Sequence, residues 1–416
     1  MSAALATFRS NARDVRGALP NWVWAVLLIA FAVVYPYITD AIDLPIIGGH
    51  DDLLDASIQT LGYIIMALGL NIVVGMAGLL DLGYVAFYAI GAFVIGWLGS
   101  QHFPNVNDGK GIHFLVKSTS AISHQPIPGI HLNFFLVIFI AAAFTALWGV
   151  ILGAPTLRLR GDYLAIVTLA FGEIVPRVFE NSQSGFFGIG STDFSNGRQG
   201  ITPIDKINLP WTTDTFRYPL DLKPAYWVAL GMVFFTIFIN RRLRDSRLGR
   251  AWIAVREDEV AAAAMGVNLV RTKLLAYAIG AAFGGFAGVF LGTYNNTVNV
   301  DQFEFGFSVF ILCMVIIGGM GNISGVILGA IFLSMVNRNL LPQLNTYPDK
   351  IGLNFDLTSI NFGIFGFLLL VMMVLRPEGF IPSTRRKLEF HEAEGEAEID
   401  ALGGADEPQL YEVRHQ

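Results

Sequence analysis

The segment RRLRDSRLGRAWIAVREDEVAAAAMGVNLVRTK (residues 241–273) separates two strongly apolar stretches of this chain. Its alanine run predicts a short helix, and Gly266 and Asn268 follow that helix as stop signals. A chain that crosses a membrane repeatedly has few long polar segments, so this polar segment indicates a helix presented on one side of the membrane. Its basic residues are Arg241, Arg242, Arg244, Arg247, Arg250, Arg256, Arg271 and Lys273.

The composition of the whole chain places the polar segment in a membrane protein. Hydrophobic residues make up 54% of the 416 residues and charged residues 14%, whereas about a quarter of a soluble protein is charged. Because helices satisfy their own backbone hydrogen bonds in lipid, the predicted fold is an all-α polytopic membrane protein surrounded by membrane lipid. The single cysteine, Cys313, excludes an internal disulfide.

Apolar runs predict about ten transmembrane or broken helices, since about 20 apolar residues cross the hydrocarbon core. The third, eighth and ninth runs are short and rich in glycine, so we interpret them as broken or re-entrant helices. The runs are residues 22–39, 56–74, 84–99, 133–154, 163–179, 225–240, 274–294, 305–317, 323–337 and 358–375.

The distribution of Lys and Arg orients these helices. A cytoplasmic N-terminus puts most basic residues, including the polar segment, on the inside, and both termini are then cytoplasmic. The predicted domains are a cytoplasmic stub (1–21), a transmembrane domain (22–380) with a cytoplasmic loop (241–273) and extracytoplasmic loops (100–132 and 180–224), and an acidic, disordered cytoplasmic tail (381–416).

A stripe of small residues follows the polar segment. Four glycines are spaced four residues apart, which places them on one face of a helix and favours close packing against a second helix. That helix belongs either to this chain or to a partner subunit. The glycines are Gly280, Gly284, Gly288 and Gly292.

Two further glycine-rich stretches indicate breaks in membrane helices. LNIVVGMAGLLDLGYVAFYAIGAF (residues 70–93) places Gly75, Gly78 and Gly83 beside Asp81, and GGMGNISGVILGA (residues 318–330) lies in the other half of the chain. Paired interruptions are compatible with an inverted repeat around a central pathway, because freed backbone groups are tolerated where they line a cavity. Glycines that only pack helices together are the alternative.

Polar residues near these breaks are the candidates for a translocation path. Ionisable residues inside membrane spans are functional candidates by default, and Glu173 has the alternative of an i, i+4 pair with Arg177. Asp162 lies near Arg158 and Arg160, where an ion pair or a helix cap is the expected role. The path candidates are Asn71, Asp81, Tyr84, Tyr163, Thr168, Glu173 and Asn322.

No pattern in the sequence indicates catalysis. The chain has no GxxxxGK[ST] nucleotide-binding loop, no cluster with metal-ligand spacing and no nucleophile beside a base. We therefore expect a protein that is not an enzyme and binds no cofactor, metal or nucleic acid itself. Any use of ATP must come from another chain.

The motifs together resemble the LivM-type permease subunits of ABC importers for branched-chain amino acids. The resemblance covers residues 70–93, GDYLAIVTLAFGEIVPRV (161–178), residues 246–288, GGMGNISGVILGA and LRPEGF (375–380). It implies a permease in the bacterial inner membrane with a LivH-type second permease, two ATP-binding subunits that use ATP and Mg²⁺, and a periplasmic substrate-binding protein.

The resemblance also implies that the polar segment contains the coupling helix that docks on an ATPase. The importer pattern is EAA, three residues, then Gly; here Val260 stands where the Glu would fall, one residue after Glu259, and Gly266 keeps its place. The implied coupling residues are Arg250, Arg256, Glu257, Glu259, Ala262, Ala263 and Gly266.

Two alternatives stay open at this point. The same family includes importers of urea, other amides and other amino acids, so the substrate has competitors within the class. A different class, an ion-coupled secondary transporter or channel, would use Glu173 or Asp81 to carry protons or ions.

Overall fold

The computed structural model describes residues 21–41, 50–116, 127–157, 162–185, 192–208, 221–344, 361–376 and 379–381. Each of the ten predicted spans overlaps a helix within these residues, and residues 358–360 of the last span lie outside them. The stub before residue 21, the acidic tail after residue 381, and Arg158 and Arg160 lie outside the described residues, and so do parts of both predicted extracytoplasmic loops.

The helices of the described residues are as follows in chain order. They are α1 (Asn21–Ala41), α2 (His50–Leu70), α3 (Val85–Leu98), α4 (Phe134–Thr156), α5 (Asp162–Glu180), α6 (Lys223–Asp245), α7 (Arg247–Glu257), α8 (Glu259–Ala264), α9 (Leu269–Asn295), α10 (Phe305–Gly318), α11 (Ile323–Met335), α12 (Leu341–Leu344) and α13 (Asn361–Leu375). Short 3₁₀ turns cover Ser182–Ser184, Gly197–Gln199 and Val300–Phe303.

Within the described residues, five helices are long and apolar enough to cross a membrane. By contrast, α3 and α10 have 14 residues each, which is about 21 Å of helix against a hydrocarbon core of about 30 Å. The sequence prediction of short third and eighth helices is thus confirmed. The ninth is longer than predicted, because α11 continues through the π-helical turn Val336–Leu340 to give 18 residues.

The long glycine-bearing helix α9 forms the centre of the bundle. It packs against α2, α3 and α4, while α10 and α11 pack against each other and against α2. The outer helices expose apolar side chains, and Phe139 and Leu147 of α4 are 62% and 55% exposed. Such side chains suit contact with lipid.

A small sheet covers one end of the bundle, which we call the sheet end. Its strands are β1 (Gly99–Ser100), β2 (Ile112–Phe114) and β3 (Ile130–Leu132), in the order β1-β3-β2. Strand β3 pairs antiparallel to β1 and parallel to β2. This small sheet is an addition to the predicted all-α fold: residues 99–100, 112–114 and 130–132 form strands because their backbone lies beyond the helix ends and pairs with itself.

The opposite end carries α7 and α8. Two breaks in the helical backbone lie there. In the first break, between α2 and α3, the chain passes through the π-helical turn Asn71–Met76 and then reverses at Gly78, whose φ is +71°. In the second break, between α10 and α11, Gly319 and Gly321 have φ of +114° and +82°. Glycine alone adopts such φ values readily, so both predicted breaks are confirmed. The inverted repeat stays a prediction.

Candidate functional site

The polar segment forms two capped helices rather than one. The Ser246 side chain accepts from the Gly249 N–H at the start of α7, and the Asp258 carboxylate accepts from the Val260 and Ala261 N–H groups at the start of α8. Each bond satisfies a donor that a helix N-terminus leaves free. Two strong N-caps twelve residues apart therefore divide the segment at Asp258.

Gly266 ends α8 as the sequence predicts. Its φ is +85°, its N–H donates to Ala263 O, and the Val267 N–H donates to Ala262 O, which is the Schellman pattern. Asn268 has a different role from the predicted one. Its side chain accepts from the Arg271 N–H, so it begins α9 instead of ending α8.

Buried contacts fasten this pair of helices to the bundle. Trp252 of α7 is fully buried and its indole N–H donates to Thr272 O of α9 at 2.8 Å. Lys273 of α9 has a side chain only 9% exposed and pairs with Glu259 of α8 at 2.5 Å. Glu259 thus has a structural partner inside this chain.

The outer surface of α8 and of Met265, which follows it, is apolar and exposed. Val260 and Met265 are 79% and 86% exposed, and Ala263 is exposed beside them. Ala262 is 4% exposed and faces the bundle. Among the predicted coupling residues, Arg250, Glu257 and Ala263 lie on the surface, whereas Ala262 and half-buried Arg256 are directed inward.

Arg256 contacts the first helix break instead of the surface. Its Nη1 donates to Gly75 O at 2.5 Å. Its Cγ packs on Gly78, because a Cβ added to Gly78 would lie only 2.6 Å from this atom. The first break in turn contacts the second, because the buried Asn71 side chain accepts from the Gly321 N–H at 2.8 Å, and a Cβ on Gly75 would lie 2.5 Å from Gly321 N. The two breaks, far apart in sequence, therefore meet.

The path candidates Asp81, Tyr84 and Thr168 are buried around the first break. Asp81 accepts from the Gly83 N–H, Thr168 Oγ1 accepts from the Leu82 N–H at 3.1 Å, and the Tyr84 hydroxyl donates to Gly280 O at 2.8 Å. These bonds hold α5 and α9 against the break. Tyr84 is thus occupied in helix packing.

A small cavity adjoins this cluster. Asp81, Thr156, Thr168, Phe171 and Tyr277 are among its lining residues. Asp81 Oδ2 and the Tyr277 hydroxyl have no hydrogen-bond partner within the part of the chain that the structure describes. Sequence reasoning missed Tyr277, although a tyrosine inside a glycine-rich apolar span was a usable signal.

Tyr163 and Glu173 lie on a different surface, the exposed face of α5. Tyr163 is 70% exposed and Glu173 is also exposed. The predicted Glu173–Arg177 pair is wrong, because Arg177 pairs with Glu180 one turn further on, at 2.6 Å. The structure therefore separates the path candidates into a buried group at the break and an exposed group on α5.

Asn322 has a capping role at the second break. Its Oδ1 accepts from the Ser324 N–H at the start of α11, and its amide donates to Ile381 O at 3.1 Å. The Phe380 and Ile381 N–H groups donate to Ile317 O and Gly318 O. The end of the LRPEGF motif thus closes the second break.

The glycine stripe of α9 packs inside this chain. A Cβ on Gly280 would lie 2.4 Å from Val73 Cγ2, and one on Gly288 would lie 2.5 Å from Tyr88 O. Gly284 faces Phe87 at 2.9 Å, and Gly292 faces Val298 and Ile95. Of the two predicted packing partners, a helix of this chain or a helix of a partner subunit, the stripe contacts residues of this chain, where small residues let backbones approach.

The sheet end carries a buried histidine, His131, that contacts a carboxylate. The ring of His131 contacts Asp205 Oδ2 through Nδ1 at 2.7 Å and Pro128 O through Nε2 at 3.1 Å. Burial lowers the pKa of His131, but the hydrogen bond and charge of Asp205 and the Pro128 carbonyl outweigh it and leave the pKa raised. No cluster able to hold a metal ion occurs among the described residues.

Sequence comparisons identify relatives that match most of this chain. The high-affinity branched-chain amino acid transport system permease protein LivM of Escherichia coli (strain K12) is 35% identical over 385 residues, covering 88% of this chain and 76% of the relative. The probable branched-chain amino acid transport permease protein LivM of Methanocaldococcus jannaschii is 28% identical over 333 residues, covering 77% and 90%.

A second kind of permease is similar as well. The high-affinity branched-chain amino acid transport system permease protein LivH of Escherichia coli (strain K12) is 25% identical over 336 residues, covering 77% of this chain and 92% of the relative. No solved structure matches the chain significantly. The family described as branched-chain amino acid transport system / permease component matches residues 53–375. The chain is therefore a multi-pass membrane protein that belongs to this permease family.

Proposed function

We propose that the chain is a permease subunit of an ATP-binding-cassette importer that moves branched-chain amino acids across the bacterial inner membrane by alternating access. The observation that supports this proposal most strongly is the 35% identity, over 88% of the chain, to a permease named for those substrates. On this proposal a LivH-type permease, two ATP-binding subunits that hold ATP and Mg²⁺, and a periplasmic binding protein complete the importer.

The exposed surface of α8 supports a docking role at the ATPase. Val260, Ala263 and Met265 present apolar groups at the tip of a helix pair that is otherwise rich in charge. Exposed apolar groups rimmed by polar residues mark sites of protein contact. We assign the ATPase contact to this surface and to the neighbouring exposed residues Arg250 and Glu257.

The exposed face of α5 supports a second permease beside this chain. Glu173 and Arg177 lie in this helix and are exposed, with Tyr163 on the same face. Charged side chains within membrane spans face protein or a water-filled cavity rather than lipid. We therefore assign this face to the partner permease and to the translocation path between the two subunits.

Transport by the reconstituted complex tests the proposal directly. Proteoliposomes that contain this chain, its partner permease and the two ATPases should take up leucine, isoleucine and valine only with ATP and the cognate binding protein. Uptake of urea in place of these amino acids would reassign the substrate. Uptake driven by an ion gradient through this chain alone would replace the importer with a secondary transporter.

Cysteine cross-linking tests the assigned ATPase contact. In a Cys313→Ala background, Ala263→Cys should cross-link to the ATPase subunit in at least one nucleotide state. Ala262→Cys is the matched control, because Ala262 is buried against the bundle and a cysteine there should not react. The absence of cross-links from Ala263→Cys in every nucleotide state would contradict the assignment.

A further inference from the structure

We propose that Arg256 is a positioning residue that transmits movement of the ATPase-facing helix α8 to both helix breaks. The inference rests on the proposed importer function and deepens it, because it names the side chain through which ATPase movement would reach the membrane-embedded backbone. Its basis is one side chain that contacts Gly75 and Gly78 of the first break and lies beside Gly321 of the second.

The position of Arg256 in the chain suits this role. It lies in the last turn of α7, three residues before α8 begins at Glu259. The other anchor of α7 is Trp252, which is bonded to Thr272 O of α9. Since a short helix moves as a rigid body, displacement of α8 relative to α9 would turn α7 about Trp252 and displace Arg256.

The contact with the first break is direct and specific. Nη1 of Arg256 donates to Gly75 O at 2.5 Å, within the π-helical turn that follows the regular part of α2. Hydrogen bonds from a charged donor are about twice as strong as neutral ones. The aliphatic part of the side chain packs on Gly78, where a Cβ would come 2.6 Å from Arg256 Cγ.

The second break is joined to the first at the same place. The Gly321 N–H donates to Asn71 Oδ1 at 2.8 Å, and a Cβ on Gly321 would lie 3.1 Å from Gly75 O and 3.4 Å from Arg256 Nη1. Because the two breaks share a hydrogen bond and a close-packed contact, a displacement of one is resisted by the other. Movement of Arg256 therefore acts on α2, α3, α10 and α11 together.

The test compares coupling ratios in the complete reconstituted importer. Leucine uptake and ATP hydrolysis are measured in the same proteoliposomes for wild type, Arg256→Met, Arg256→Gln and Arg256→Lys. Arg256→Met keeps the contact with Gly78 and removes the donors, so leucine taken up per ATP should fall by about 2- to 30-fold, the range that mutations in coupling networks produce. Arg256→Lys, which keeps a charged donor, should restore most of the ratio.

Arg247→Met is the matched control, because it removes an exposed guanidinium from the first turn of the same helix. Its ratio should equal that of wild type. A purely structural role of Arg256 would lower the amount of assembled complex and leave the ratio unchanged. If Arg256→Met does not assemble, Arg256→Gln decides: a lowered ratio that Arg256→Lys restores supports the inference.

Two failures are distinguishable. The first concerns the wild-type complex: if it shows no leucine uptake, or uptake that needs neither ATP nor the binding protein, the proposed function is overturned and the inference with it. A wild-type complex that couples normally, together with an unchanged ratio in Arg256→Met or Arg256→Gln, overturns the inference alone.

Discussion

Replacement of Gly83 by alanine should destabilise the bundle strongly, because the backbones of the first break and α5 touch there. A Cβ on Gly83 would lie 1.8 Å from Thr168 O and 2.7 Å from Thr168 C. Real Cβ atoms essentially never approach closer than 3.0 Å, so the two segments must separate by about 1.2 Å (3.0 less 1.8 Å) in a close-packed interior.

The energetic cost of that separation has two parts. Overpacking of an interior costs about 1–3 kcal/mol. Withdrawal of α5 also removes the bond from the Leu82 N–H to Thr168 Oγ1, and an unsatisfied buried group costs about 1–3 kcal/mol. The sum is about 2–6 kcal/mol, which corresponds to a fall in Tm of at least about 4 °C if about 1 kcal/mol shifts the Tm by about 2 °C.

The assay is thermal unfolding of the detergent-solubilised chain, followed by the fraction that remains monodisperse after heating. Gly231→Ala in α6 is the matched control, because a Cβ there meets nothing within 4 Å and the glycine is exposed. That variant should be as stable as wild type or slightly more, since alanine favours helices by about 1 kcal/mol over glycine. A Tm for Gly83→Ala equal to that of Gly231→Ala would refute the close approach of α5 to the break.

Three further predictions concern charged groups. Asp81→Asn should leave leucine uptake by the complete importer within about fivefold of wild type, since an amide keeps the acceptor for the Gly83 N–H and a change of one hydrogen bond is worth about 1 kcal/mol, or about fivefold in rate. Loss of uptake would favour ion coupling. Glu259→Gln should lower the Tm more than Lys273→Met, because it leaves a nearly buried ammonium without a counter-charge, at a cost of about 1 kcal/mol after allowance for the half-exposed Glu259. Equal Tm values would contradict the ion pair. Because the pKa of folded His131 is raised, its stabilisation of the sheet end is complete below about pH 6.5 and is lost as pH rises through the folded pKa. Hydrogen exchange of strand β3, corrected for its intrinsic pH dependence, should therefore accelerate above about pH 6.5, and Asp205→Asn should abolish that acceleration.

Local sequence signals predicted most of the fold. Apolar runs located ten helices, because hydrocarbon thickness and backbone hydrogen bonding leave a membrane chain few other structures. Gly266 marked the end of α8, and the glycines of the two breaks marked where the helices end, since only glycine adopts positive φ without strain. The sheet was missed because its three strands are two or three residues long and pair across long sequence separations.

The features of the candidate site also divide into those that the sequence predicted and those that only the tertiary structure placed. The sequence by itself determined a membrane permease with a polar segment that interrupts its apolar spans, because composition and helix caps are properties of consecutive residues. The tertiary structure alone decided that Ala262 faces inward, that Glu259 pairs with Lys273, and that Arg256 contacts the helix breaks. Those contacts join residues up to 181 positions apart. The packing of α7 against the π-helical turn Asn71–Met76 and α9, rather than any local preference, brings them together.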